Sequence, residues 1–241
     1  MQLVTAKPPT LRIQERFVSV QGEGILAGVP SSFVRLTGCN LRCSWCDSPE
    51  SSWRPTGDAQ SLNEIVHWCA QGPRHVVVTG GEPLLSPHVG ALTKALSDNG
   101  HHITVETAGT LDAPDLVCDL MSLSPKLAHS TPAAPASLAQ RHERARWQPD
   151  VVLALMRLPW QLKFVVRADA DDRLAHDVAE IDTMLEALAN PDPQQVLLMP
   201  ECTDPAALTE RYQRISALCC TRGFRLGPRL HITAFGHTPG T

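Results

Sequence analysis

Cys39-Asn40-Leu41-Arg42-Cys43-Ser44-Trp45-Cys46-Asp47 is the stretch around which the chain is organised. Its three cysteines are spaced Cys-x3-Cys-x2-Cys. Thiolates are soft ligands that suit iron–sulfur clusters and zinc. A structural zinc closes its tetrahedron with four protein ligands. A cubane cluster on three thiolates instead keeps one iron open to an outside ligand. Closing a zinc site would need His67 or Cys69, which fall on an expected helix and lack paired spacing. The loop is therefore read as an open-site cluster. Of the other cysteines, Cys69, Cys118, Cys219 and Cys220 read as small hydrophobes, and Cys202 lies in a loop.

Working outward, residues 11–20 and 32–36 read as strands, joined through the tight turn Gln21-Gly22-Glu23-Gly24. Residues 47–57 read as loop and 61–70 as a helix with a Ser61/Glu64 capping box. The strand 75–79 runs into Gly80-Gly81-Glu82-Pro83, and a helix spans 87–99. A strand at 103–107 ends in Ala108-Gly109-Thr110, and one at 116–123 in Ser124-Pro125-Lys126. Residues 128–140, rich in Pro and Ala, read as a loop insertion, and 141–147 as a charged helix. Strands at 161–166, 195–199 and 229–233 alternate with helices at 171–189 and 205–221, the latter capped by Asp204 with Pro205 at its first position. Alternating strands and helices imply parallel strands with helical crossovers in a single domain spanning 1–241. The polar and glycine-rich motifs all follow strand C-termini, the ligand edge of parallel α/β folds, so they predict one composite site.

Composition narrows the class. The 241 residues are 43% hydrophobic and 19% charged, with a formal net charge of −4. No basic run favours nucleic acid, and no apolar run approaches the ~20 residues of a membrane span. Residues 1–10 lack a secretory pattern. The expectation is a cytoplasmic protein whose eight cysteines serve ligation rather than disulfides.

Cys39-x3-Cys43-x2-Cys46, with Trp45 before the last cysteine, resembles the cluster loop of radical S-adenosylmethionine (SAM) enzymes, and Gly80-Gly81-Glu82-Pro83 resembles that superfamily's second signature. Together with Gln21-Gly22-Glu23-Gly24, Phe33-Val34-Arg35, Cys46-Asp47-Ser48, Val105-Glu106-Thr107, Ser124-Pro125-Lys126 and Leu162-Lys163-Phe164-Val165-Val166, they resemble the 7-carboxy-7-deazaguanine synthase family of the queuosine and deazapurine pathways. The resemblance runs from about residue 15 to the C-terminus, outside the Pro/Ala stretch.

It implies an incomplete (β/α)6 partial barrel. It implies a lyase that converts 6-carboxy-5,6,7,8-tetrahydropterin to 7-carboxy-7-deazaguanine with loss of ammonia. The implied cofactors are a 4Fe–4S cluster on Cys39, Cys43 and Cys46, S-adenosylmethionine, and a magnesium ion on Ser48 and substrate oxygens. Val20, Gln21, Gly22, Thr79 and the terminal Thr241 would meet the pterin, Arg35 its carboxylate, and Glu106 the reacting site. Cofactor contacts would come from Trp45, Asp47, Gly80, Gly81 and Glu82, from Ser124, Pro125 and Lys126, and from Met199, Pro200, Glu201 and Cys202. A flavodoxin or ferredoxin electron donor and a homodimer are also implied. Ala108 stands where asparagine is common, which removes a side-chain contact. Two alternatives stay open: a radical activase acting on a protein partner, and a non-catalytic zinc-bound interaction module.

Overall fold

The structure, a computed structural model, describes residues 9–241. The reading of the first eight residues as lacking a secretory pattern lies outside the described residues. In chain order the elements are β1 (Thr10–Val20), β2 (Pro30–Leu36), β3 (Asp58–Ser61), α1 (Leu62–Cys69), β4 (His75–Gly80), α2 (Val89–Asp98), β5 (His102–Thr107), β6 (Leu120–Leu123), α3 (Ala136–Ala145), α4 (Pro149–Leu155), β7 (Trp160–Val166), α5 (Asp171–Ala187), β8 (Val196–Pro200), α6 (Pro205–Arg222), β9 (Arg225–Leu226) and α7 (Leu230–Phe235). They build one sheet of order β3-β1-β2-β4-β5-β6-β7-β8-β9. From β2 to β9 every pairing is parallel. Only β1 and β3, at one edge, are antiparallel. Six full parallel strands make the expected partial barrel, and the two-residue β9 adds to its far edge. No helix among the described residues is long and apolar enough to cross a membrane.

Local chemistry accounts for the element ends. The Ser61 hydroxyl accepts the Glu64 N–H while the Glu64 carboxylate accepts the Ser61 N–H, which starts α1. Asp204 accepts the Ala206 N–H to start α6, and Gly223, at φ 71°, ends it in the left-handed conformation that glycine adopts without strain.

The period of two along each strand sorts its side chains. Val34 and Leu36, Val76 and Val78, Ile103 and Val105, Leu162, Phe164 and Val166 all join the apolar core beneath the helices. Their neighbours point the other way, into the barrel. There Arg35, Thr79, Glu106, Ser122 and Lys163 face a cavity. Deeper in, polar side chains satisfy one another. Gln161 donates to Ser122 Oγ at 2.7 Å and accepts the Ile25 N–H at 2.8 Å. His75 lies between Ser31 Oγ (2.7 Å) and Thr104 Oγ1 (2.8 Å).

Several elements differ from expectation. The stretch at 229–233 is not a strand: Leu230–Phe235 forms a helix, because only Ile232 seats in a small apolar cluster with Leu208 and Cys202. The strand expected at 116–123 is confined to Leu120–Leu123. The stretch at 128–139 is more regular than expected: a 3₁₀ turn (Ala128–Ser130) and the start of α3 occupy it. β3 and α4 lacked a readable periodicity.

Burial, and the neighbouring His102 ring 5.1 Å away, lower the pKa of His75 to about 4. Between pH ~6.5 and ~4 the unfolded chain binds a proton there that the folded chain refuses, so stability falls as pH falls through that window. The His75→Gln variant should lose about 2–3 kcal/mol less than the parent on acidification from about pH 7 to about pH 4.5, read from urea unfolding.

Candidate active site

The cysteine loop leaves the C-terminal end of β2 and is zipped onto the rim of β4. Gly38 N–H donates to the Ser51 carbonyl (2.8 Å), Glu82 N–H to the Gly38 carbonyl (2.9 Å) and Gly81 N–H to the Leu36 carbonyl (3.3 Å). Gly81 is tightly enclosed. A Cβ there would lie 2.5 Å from the Gly38 oxygen, 2.6 Å from the Ser51 oxygen and 2.7 Å from Cys39 Cβ. Leu41, Cys43 and Ala108 are buried together with Cys39 and Cys46 packed against them. The far side of the loop is strapped by residues 128–142. Ser44 N–H donates to the Ser130 carbonyl (2.8 Å), Ser44 Oγ to the His129 carbonyl (3.2 Å) and Arg42 N–H to His142 Nδ1 (3.1 Å).

The three thiols line one cavity of about 480 Å³. Burial pushes Cys39 up to about 11 and Cys43 up to about 12, so a metal's charge is what would convert them to thiolates. Two of the sulfurs are already hydrogen-bonded: Leu41 N–H donates to Cys39 Sγ (3.3 Å), and Ser52 Oγ and Cys46 Sγ share a bond of 3.0 Å. Three thiols lining one cavity, with hydrogen-bonding groups beside two of them, fit a cluster. Among the described residues no three His, Cys, Asp or Glu side chains converge as a cage for a single ion. His67 and Cys69 cannot complete a zinc site. Cys69 is sealed in the main core, and His67 pairs with Gln71 on the outer surface of α1.

The cavity gathers most of the residues singled out in the sequence. Cys39, Cys43, Cys46, Trp45, Asp47, Ser48, Val20, Gln21, Gly22, Arg35, Thr79, Gly80, Gly81, Glu106, Ser124, Lys126, Met199 and Thr241 line it. Arg35 Nε is held by Glu15 at 2.7 Å, and its Nη1 lies 3.4 Å from Ser48 Oγ. Gln21 donates to Glu106 at 3.1 Å and accepts the Glu23 N–H at 3.1 Å. Trp45 stacks on His129 (5.7 Å), and Lys126 Nζ lies 5.8 Å from its ring.

Five residues expected to contact the cofactor do not line the cavity. The buried Glu82 carboxylate is taken up by the Thr107 hydroxyl (2.7 Å), Ala108 N–H (2.9 Å) and Leu84 N–H (3.1 Å). Burial raises its pKa despite these donors. It braces the rim. Pro125 and Pro200 are buried. Glu201 turns away, its carboxylate 3.2 Å from His129 Nε2. Cys202 packs with Leu208 and Ile232.

The sequence reading missed a set of buried charges. Glu23 contacts Lys163 and lies 3.4 Å from Arg229 Nε. Arg229 donates to Asp47 Oδ2 (2.6 Å) and to the Cys202 carbonyl (2.7 Å). Burial opposes the ionisation of Glu23, yet Lys163, Arg229 and His231 outweigh it and hold its carboxyl well below the usual range. Asp47 is likewise held low against burial by Arg229 and Arg35, despite Glu23. The His231 ring covers Gly22 where a Cβ would stand. His129, buried between Asp177 (3.4 Å) and Glu201 (3.2 Å), is held above its usual value against the pull of burial. The paired motif Gln21 to Gly24 was a signal for Glu23; nothing local marked Arg229 or His129.

The Gly81→Ala variant should fold, by circular dichroism, but bind less than about a tenth of the parent's iron and sulfide after reconstitution, because backbone surrounds the added methyl.

A family model for the radical SAM superfamily matches residues 33–158. A 7-carboxy-7-deazaguanine synthase of Rhodopirellula baltica is 40% identical, over 98% of this chain and 91% of that protein. One of Halobacterium salinarum is 42% identical, over 97% and 93%. In fold, the crystal structure of QueE from Escherichia coli superposes with a TM-score of 0.67 at 24% identity, covering 92% of this chain and 95% of that one.

Proposed function

We infer the reaction from one premise: the chain belongs to the radical SAM superfamily and, within it, to the 7-carboxy-7-deazaguanine synthase family. The reaction is the conversion of 6-carboxy-5,6,7,8-tetrahydropterin to 7-carboxy-7-deazaguanine with release of ammonia. The observation that carries it is the meeting of Arg35, Glu15 and Ser48 beside three cysteines in one cavity.

The superfamily's 4Fe–4S cluster and S-adenosylmethionine, when bound, supply a radical able to take a hydrogen atom from the substrate. The chain's own residues do the rest. Cys39, Cys43 and Cys46 would hold the cluster. Trp45, Gly80, Gly81, Ser124, Lys126 and Met199 give that cofactor a wall. Glu15 fixes Arg35 through Nε while Nη1 reaches Ser48 Oγ (3.4 Å), which leaves Nη2 and the second Nη1 hydrogen for a planar carboxylate. Ser48 Oγ offers magnesium a hard oxygen ligand, with the Asp47 carboxylate 3.3 Å away. Val20, Gln21, Gly22 and Thr79 bound the pterin side, and Glu106 is held there by Gln21. The tail residues Thr238 to Thr241 line the cavity and would narrow the access of water to the reacting atoms, an exclusion that this chemistry requires.

A cavity of about 480 Å³, with Thr238 to Thr241 on its wall, suits a small carboxylate rather than a protein substrate, which favours this reading over an activase. We further propose that the whole chain works as one domain, in the cytoplasm, as a homodimer supplied with electrons by a flavodoxin or ferredoxin.

Reconstituted protein, given the carboxypterin, S-adenosylmethionine and reductant, should yield 7-carboxy-7-deazaguanine by mass spectrometry. Cofactor cleavage without that product would sink the substrate and keep the radical chemistry. Arg35→Gln should cut kcat/KM by about 10- to 100-fold through loss of a charged hydrogen bond. Ser48→Ala should lose magnesium dependence at unchanged iron content; a fall in iron would instead remove Ser48 from the magnesium site.

A further inference from the structure

Ser52 follows the cysteine loop, in the turn that brings the chain back toward β3, and borders the same cavity. Its side chain is buried, with the residue 3% exposed, so its hydroxyl must be satisfied within the protein. Two acceptors lie within reach: Cys46 Sγ at 3.0 Å and the Ser48 carbonyl at 3.3 Å. The carbonyl is already served by Ser51, through its N–H (3.1 Å) and its hydroxyl (2.9 Å). Two donors fill a carbonyl's two lone pairs. The sulfur, although the larger atom, is also the nearer.

The turn is fixed from several sides. Ser52 N–H and Arg54 N–H both donate to the Pro49 carbonyl (3.3 and 2.8 Å), and Gly38 N–H holds the Ser51 carbonyl (2.8 Å). The indole N–H of Trp53 donates to the Cys43 carbonyl (3.0 Å). Ser52 is thus held in place next to one metal-binding sulfur by contacts that do not involve its own hydroxyl.

As a thiol, Cys46 can donate or accept. As a cluster ligand it is a thiolate and can only accept. Loading therefore settles the direction of this bond: the Ser52 O–H donates to the Cys46 sulfur. One-electron reduction adds negative charge that spreads onto the thiolates. A dipole with its positive end on sulfur stabilises the reduced form more than the oxidised one, and second-shell donors set cluster potentials in this way. We propose that Ser52 is a positioning residue that raises the reduction potential of the cluster through its hydrogen bond to Cys46. The inference rests on the cluster reading of the three cysteines and is independent of the substrate.

The test compares Ser52→Thr, Ser52→Val and Ser52→Ala with the parent, each as the full chain, reconstituted with iron and sulfide. Thr and Val have nearly the same shape and differ in the hydroxyl. The midpoint potential is read by anaerobic titration with dithionite, following absorbance and the reduced-state paramagnetic signal, with no substrate present. At equal iron content, Val and Ala should titrate at more negative potential. Their reduced-to-oxidised ratio at fixed potential should be about threefold to tenfold lower, tenfold being about 59 mV for a one-electron couple. Thr should stay at the parent value. Equal potentials for Thr and Val in iron-loaded protein would overturn the proposal. Loss of iron from both Val and Ala while Thr loads would overturn it too, because the hydroxyl would then build the loop rather than tune the sulfur. The substrate assignment could fail without moving any of these readings.

Discussion

Glu23 is held between Lys163 and Arg229 inside the barrel mouth, and the arrangement of the site depends on that pairing. A buried charge without a partner costs several kcal/mol. Here two carboxylates, Glu23 and Asp47, are matched by Lys163 and Arg229, so the group as a whole is neutral. Each charge comes from a different part of the chain: the turn after β1, the cysteine loop, β7 and the residue before α7. Satisfying the charges therefore also fixes where the substrate turn, the metal loop and the C-terminal helix lie relative to one another. Because Glu23 and Asp47 are both held in the ionised form, and Lys163 is held charged by Glu23 and Glu106 against burial, the pattern does not change across the physiological pH range.

The strands make such a group tolerable. Each central strand gives its alternate residues to an apolar layer under the helices, and that layer carries the fold. The inner rows are then free to be polar, provided that they pair. Near the base they pair with each other, as in Ser31–His75–Thr104 and Gln161–Ser122. Nearer the rim their partners run out and the cavity begins. Arg35 and Lys163 stand in this transition, with one side bound to protein and the other facing the space where a ligand's charge would complete them.

What was legible in the sequence follows from range. The cysteine spacing, the Gly80-Gly81 rim and the Ser61 and Asp204 caps are local patterns, and each stands where it was read. Valine runs such as Val76-Val77-Val78 identified the buried strands. Side chains whose meaning lies far along the chain could not be read. Arg229 meets Asp47 across 182 residues and Lys163 meets Glu23 across 140. The same limit explains Glu82. The motif put it at the ligand edge, but Thr107 and Ala108 reach it first, from 25 and 26 residues away. Residues 230–235 misled for another reason: a short apolar run has no period long enough to separate strand from helix.

The strap across the cysteine loop has a consequence for how the protein is made. The cysteines are synthesised early, at positions 39 to 46, whereas Ser130, His142 and Arg229, which pin that loop, leave the ribosome much later. Through most of translation the three thiols have no fixed geometry. Iron that met them then would find a flexible peptide, equally open to other metals and to oxidation. The fixed geometry of the three thiols thus depends on residues made long after them, and it exists only once the chain has folded as a whole.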